Sequence, residues 1–227
     1  MTPAWISIKI TAVSTVIIFF LGLAAAWFMA NYKGKWKGLA DGILTLPLVL
    51  PPTVAGFCIL VLIGVHGPVG IFLDLFDIRI IFSWYAAVIA AVVVAFPLMY
   101  KTSRGAFEQI DPNIINAART LGASEWKVFW RVCVPLAWPG IAAATALSFA
   151  RSLGEFGATL MVAGNIPGKT QTIPIAIYFA TQGGNMKAAA VWVAIIFAIS
   201  LTVMVLMNGW NERQSAAGGP AGRKGAA

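Results

Sequence analysis

Arg151 and Glu155 stand four residues apart in an otherwise apolar stretch, 138–162, and are the first candidates for chemistry in this chain. On a helix that spacing places a guanidinium and a carboxylate on one face, where they can pair. A charge at mid-bilayer costs about 2.5–3.5 kcal/mol on insertion scales, so such residues face a bundle interior or a cavity. The pair reads either as a purely structural ion pair or as a gate or pathway element. A second candidate is the run Leu46-Pro47-Leu48-Val49-Leu50-Pro51-Pro52-Thr53. Each proline removes a backbone donor and crowds the preceding turn. In a membrane such breaks persist where other helices or a water-filled cavity satisfy the freed carbonyls. Pro51, Pro52 and Thr53 are therefore either a tolerated kink or a break lining a pathway.

Catalytic and metal chemistry find little else to use. The single histidine, His66, and two cysteines, Cys58 and Cys133, do not make a metal-ligand cluster or a nucleophilic triad. Gly168-Lys169-Thr170 looks like the end of a phosphate-binding loop, but the first glycine of that motif would fall at Ala163. No cofactor, metal or nucleotide site is expected, and the chain does not read as an enzyme.

The elements that must position these residues are membrane helices. Apolar residues make up 59% of the 227 residues and charged ones 11%, with a mean hydropathy of +0.84. Soluble domains carry about 25% charge. The apolar residues gather into five blocks near 6–30, 42–64, 81–101, 138–162 and 188–210, each close to the ~20 residues that cross a bilayer. The first block has no basic leader and is too long for a signal-peptide core, so it is expected to stay as a span.

The net charge of +8 invites a nucleic-acid reading, but its distribution favours topology. Lys33, Lys35 and Lys37 follow block one; Lys101, Arg104, Arg119, Lys127 and Arg131 follow block three; Arg213, Arg223 and Lys224 follow block five. The loop after block two sets Asp74 and Asp77 against Arg79. Basic loops face the cytoplasm, which puts the N-terminus outside and the C-terminus inside. Lys9 and Lys187 run against this pattern. Trp5, Trp27, Trp84, Trp138 and Trp210 sit near span ends as interfacial anchors. Between blocks three and four, Asp111-Pro112 reads as a helix start, Gly122 as its stop, Ser124 as a second start and Pro135 as a second stop. Ala117, Ala118 and Leu121 supply the first helix's apolar face, and Cys133 falls in this loop. The result is an elbow over 111–135. Residues 164–184 are too polar to cross, with a short re-entrant or interfacial helix at 173–181, and 211–227 read as a disordered tail.

Asn116-Ala117-Ala118-Arg119-Thr120-Leu121-Gly122, nine residues, then Val132-Cys133-Val134-Pro135 resembles the Glu-Ala-Ala loop of ABC-importer permeases, with Asn116 in place of the glutamate. The resemblance implies that Asn116, Ala117, Ala118, Gly122, Val132 and Pro135 form a coupling helix that seats in a groove of a separate ATPase subunit. The stretch 149–159, with Gly154-Glu155-Phe156-Gly157, the stretch 163–174, and Leu50-Pro51-Pro52-Thr53-Val54-Ala55-Gly56 resemble the molybdate-permease branch; sulfate/thiosulfate permeases have a related Gly-Glu-aromatic-Gly stretch. That family implies an all-α polytopic bundle of the type I ABC importer permease kind in the inner membrane. It also implies two copies of this chain, two cytoplasmic ATP-binding subunits and an extracytoplasmic oxyanion-binding protein. A binding role for Arg151 then fits poorly, because a tight cationic trap would hinder release of an anion. The alternatives are a sulfate/thiosulfate or tungstate permease, or a stand-alone channel or ion-coupled carrier.

Overall fold

Thr2 accepts a hydrogen bond from the Trp5 amide, and Pro3 takes the first helical position where its missing N–H costs nothing. From there α1 (Pro3–Asn31) runs 29 residues, about 43 Å at 1.5 Å per residue. The structure, a computed structural model, describes residues 2–217; they form helices and loops with no strand among them. After α1 come α2 (Lys37–Val49), α3 (Pro52–Ile63), α4 (Pro68–Asp74) and α5 (Trp84–Glu108). The elbow helices α6 (Pro112–Thr120) and α7 (Glu125–Val128) lead through a π-helical turn, Phe129–Cys133, into α8 (Val134–Leu153). The chain ends with α9 (Gly157–Ala163), α10 (Ile173–Gln182) and α11 (Met186–Ala217). Among the described residues four helical stretches are long and apolar enough to cross a bilayer unbroken, and the bent pair α2–α3 together has the length and composition of a fifth.

The block expected at 42–64 is two helices bent by 113°, and the first begins at Lys37. Pro51 and Pro52 cannot donate to the carbonyls of Pro47 and Leu48, and each pushes the residue before it out of helical backbone. Leu50 and Pro51 accordingly sit at ψ 139° and 138°, and Pro52 restarts the helix as its first residue. Pro97, alone inside α5, leaves that helix unbroken.

Pro135 does not end a helix. The elbow's second helix flows into α8 through the π turn, where Val134 N–H reaches back to the Phe129 carbonyl. The wider turn makes room where the Pro135 ring would meet the carbonyl of Arg131. Cys133, expected in a loop, is buried inside this continuous helix. The block expected at 138–162 is instead broken after Leu153, between α8 and α9. At the other end of the chain α11 continues through Asn211-Glu212-Arg213-Gln214 to Ala217. These residues hold no proline or glycine to stop a helix, so the first part of the expected disordered tail is helical. The remainder, 218–227, lies outside the described residues.

Two cores hold the bundle. One, toward the elbow, joins Ile18, Leu23, Met29, Met99, Tyr100, Phe107, Val128 and Ile141. The other, at the far end, joins Ile6, Ile10, Ala55, Ile59, Val94 and Val162 to small α5 residues. Ala86, Ala87, Ala90, Ala91 and Ala95 are all buried along α5, letting neighbouring backbones approach closely, as small residues do in membrane bundles. Gly22 shows the same economy: a Cβ there would lie 2.6 Å from Met99 Cγ. Lys9, the charge that ran against the loop pattern, is covered by the Trp84 ring 3.7 Å away, a cation–π contact that suits a lysine near an interface.

Candidate functional site

The two broken helices meet. A Cβ on Gly157, the first residue of α9, would lie 3.2 Å from Pro52 Cβ and 3.3 Å from the Thr53 amide. One turn on, a Cβ on Gly56 would lie 2.7 Å from Ala158 Cα. Glycines at both positions thus allow α3 and α9 to cross at backbone contact. The break at Leu50–Pro51 and the break at Gly154–Phe156 come to lie side by side, and Pro51, Thr53 and Gly154 remain exposed.

Arg151 and Glu155 sit at this junction. The helix between them has ended, since Gly154 already departs from helical backbone, yet the Arg151 Nη1 donates to Glu155 Oε2 at 2.8 Å. The other carboxylate oxygen, Oε1, accepts from the Ala158 amide at 2.8 Å. Glu155 therefore both neutralises Arg151 and satisfies a free N–H at the start of α9, where helix ends leave such donors unpaired. Its side chain is 2% exposed against 31% for Arg151. The arrangement can hold two helix fragments at a set angle; with one guanidinium balanced by one buried carboxylate, it is no strong anion trap. Pro51, Pro52, Thr53, Arg151 and Glu155 are thus gathered into one place.

The elbow is a separate feature. Asp111 Oδ1 accepts from the Asn113 amide at 2.9 Å and opens α6. Gly122 closes it at φ +78°, with Leu121 and Ala123 amides returning to the carbonyls of Ala117 and Ala118, the left-handed ending that glycine tolerates. Across this turn Arg119 clamps Glu125 with two bonds, Nε to Oε1 at 2.7 Å and Nη2 to Oε2 at 2.9 Å. The bond to Glu125 also moves the Arg119 pKa further above its ordinary value. The apolar face expected from Ala117, Ala118 and Leu121 is divided. Ala118, with Ile115 and Ala123, packs inward on the elbow-side core, whereas Asn116, Ala117, Leu121 and Gly122 are exposed. Ala117 lies about 100° around the helix from Ala118, and Leu121 is already the C-cap beyond α6, at ψ 8°. Val132 and Pro135 lie at the root of α8, away from the elbow's tip: Val132 is half-buried in the π turn and Pro135 is exposed.

Gly168-Lys169-Thr170 lies in a turn that no strand precedes. The buried Thr170 hydroxyl organises the loop, accepting from the Ile166 amide at 3.0 Å and donating to the Gly164 carbonyl at 3.2 Å. Sequence reasoning passed over a different cluster. Asp41, Tyr100, Arg104, Glu108 and Lys37 form a polar network between α2 and the end of α5. Its one signal in the sequence is that Asp41 is the only acid before Asp74.

Comparison with known proteins bears on this architecture. A family model described as "Binding-protein-dependent transport system inner membrane component" matches residues 18–215. A Bacillus subtilis (strain 168) protein, YvgM, carrying the provisional name of a molybdenum transport system permease, is 48% identical over 91% of this chain and 92% of its own length. The molybdenum transport system permease protein ModB of Escherichia coli (strain K12) is 42% identical over 94% and 95%. The sulfate transport system permease protein CysT of the same organism is 35% identical over 90% of this chain and 76% of its own. Among solved structures, the MetNI methionine ABC transporter in an inward-facing conformation superposes with a TM-score of 0.73 at 16% identity. The match covers 92% of this chain and 93% of that one. The shared fold is the helical bundle of type I ABC importer permeases.

Proposed function

We propose, because this chain belongs to the family of binding-protein-dependent transport system inner membrane components, that it forms the translocation pathway of an ATP-driven molybdate importer. It is a multi-pass inner-membrane permease subunit of an ABC transporter. The observation that supports molybdate is the substrate in the names of the two more similar relatives, at 48% and 42% identity, against 35% for the sulfate permease. Two copies of this chain enclose the pathway, because a subunit with five crossings has too few helices to surround one. Two ATP-binding subunits dock on the elbow from the cytoplasm, and a soluble oxyanion-binding protein delivers substrate from outside. Asn116, Ala117, Leu121 and Gly122 meet the ATPase; Ala118 braces them from within, and Val132 and Pro135 join the elbow to α8. The paired breaks, with Pro51, Pro52, Thr53, Arg151 and Glu155, serve as the gate. No cofactor takes part in this chain, and the energy comes from ATP hydrolysed by the partner.

Proteoliposomes holding this chain, its ATPase and its binding protein test the reading. ATP-dependent molybdate uptake that tenfold excess sulfate leaves unaltered is the expected result. Equal uptake of sulfate would move the chain to the sulfate branch, and uptake without the ATPase would make it a stand-alone carrier. Orientation is checked separately. In intact cells an impermeant thiol reagent should label a cysteine placed at Asp77 and miss cysteines at Lys35 and Arg213; labelling at Lys35 would reverse the assignment.

A further inference from the structure

α2 is an unusual membrane helix: none of its 13 residues is fully buried. Its apolar share in the elbow-side core is the half-buried pair Ala40 and Leu44. At its far end the helical ladder stops with the Leu50 amide on the Leu46 carbonyl, and the next bonds start anew from the Pro51 carbonyl. Backbone hydrogen bonding therefore does not tie α2 to α3.

Polar groups fix it instead. Tyr100, with 0% of its surface exposed, donates its hydroxyl to Asp41 Oδ1 at 2.7 Å. Arg104 Nη1 donates to the same oxygen at 2.7 Å and to the Tyr100 hydroxyl at 3.1 Å. Arg104 Nε binds Glu108 Oε1 at 2.8 Å, and Lys37 Nζ lies 3.8 Å from that oxygen. One face of α2 is thus bolted at Lys37 and Asp41 to the last three turns of α5. Arg104 and Asp41 have 19% and 31% of their side chains exposed, so water screens this contact only partly. Apolar residues could hold two helices together without the desolvation cost. What a hydrogen-bonded ionic network adds is a single register.

The placement has a mechanical consequence. Only residues 109–111 separate the end of α5 from α6, so a displacement of the elbow's first helix passes directly to Glu108 and Arg104. Beyond Asp41, α2 runs to the break at Leu50–Pro51, and just past it Pro52 and Thr53 lie against the start of α9. We infer that Asp41, Tyr100 and Arg104 are positioning residues that make α2 move with the elbow end of α5, carrying the elbow's displacement to the paired breaks. This inference rests on the transport reading above, which makes the elbow the driven element.

The test uses spin labels at Ile43 on α2 and Lys101 on α5, in nanodiscs with and without the ATPase subunit, together with uptake and ATP hydrolysis by the assembled complex. The wild-type chain should give one narrow distance distribution. Asp41→Ala should broaden it and lower molybdate uptake at least tenfold, while basal ATP hydrolysis stays within twofold. Where that variant folds poorly, Tyr100→Phe removes one hydrogen bond while keeping the ring. It should show the same pattern with a smaller loss, about threefold to fivefold. An unbroadened distribution in a folded variant would overturn the inference, as would broadening with normal uptake. The distance arm needs neither substrate nor partner, so it can fail while the transport reading stands; a wild-type complex that takes up no oxyanion would fail the transport reading alone.

Discussion

Replacing Glu155 with glutamine is expected to cut the yield of folded protein several-fold, and replacing Arg151 with methionine to do the same, while the double replacement recovers most of the loss. The glutamine side chain would still offer a carbonyl oxygen to the Ala158 amide, so the cap on α9 is kept. What the change removes is the charge opposite Arg151, 2.8 Å away. Breaking a buried pair by deleting one partner costs about 3–5 kcal/mol, because the other charge keeps its desolvation penalty and loses its compensation. Arg151, with 31% of its side chain exposed, will fall at or below the low end of that range. Arg151→Met instead strands the carboxylate, which is 2% exposed and retains one hydrogen bond from a backbone amide. That makes it the more damaging single change. Uptake by the double variant then separates the two roles. Near-normal molybdate import would mark the pair as structural, whereas normal yield with import lost would mark it as part of the gate. Two single variants with wild-type yield would remove the pairing argument.

The elbow should respond in the opposite way, with function lost and folding spared. Leu121 is 88% exposed, so Leu121→Asp gives up almost no packing within this chain. If the elbow seats in the ATPase, an anchoring leucine at its tip contributes the ~2 kcal/mol or more typical of an interface hot spot, and a carboxylate placed in the same apolar contact opposes docking outright. Copurification of the ATPase should fall at least thirtyfold, with helical content and thermal midpoint unchanged. Gly122→Val provides a second handle, because φ +78° is a conformation β-branched residues avoid at a cost on the order of 1–3 kcal/mol. That substitution should weaken docking by reshaping the turn even though no neighbour lies within 4 Å of its Cβ. An ATPase that copurifies normally with Leu121→Asp would show that the elbow's tip is not the docking surface.

Membrane character, the all-α architecture and the start and stop of α6 were all legible from residue order, because each depends on local rules. A bilayer demands about 20 apolar residues per crossing, and the helix signals at Asp111, Pro112 and Gly122 act within their own turns. The spacing of Arg151 and Glu155 likewise announced a pair. The same local rules misread Pro135, because a π turn one step upstream absorbs the clash that would otherwise stop the helix. They could not tell whether the three prolines of 47–52 bend a helix or break it. Nor could they show that Ala118 packs against the core while Leu121, just past the end of α6, stands in the open. Tertiary structure alone decided which distant segments meet. Gly56 and Gly157 bring the two breaks into contact only because α3 and α9 cross there, and Asp41 finds Tyr100 and Arg104 across 59 and 63 residues of sequence. The physical reason is range. Helix signals and bilayer thickness act over a few residues or along one axis, whereas the angle between helices is set by side-chain packing and hydrogen bonding summed over the whole bundle.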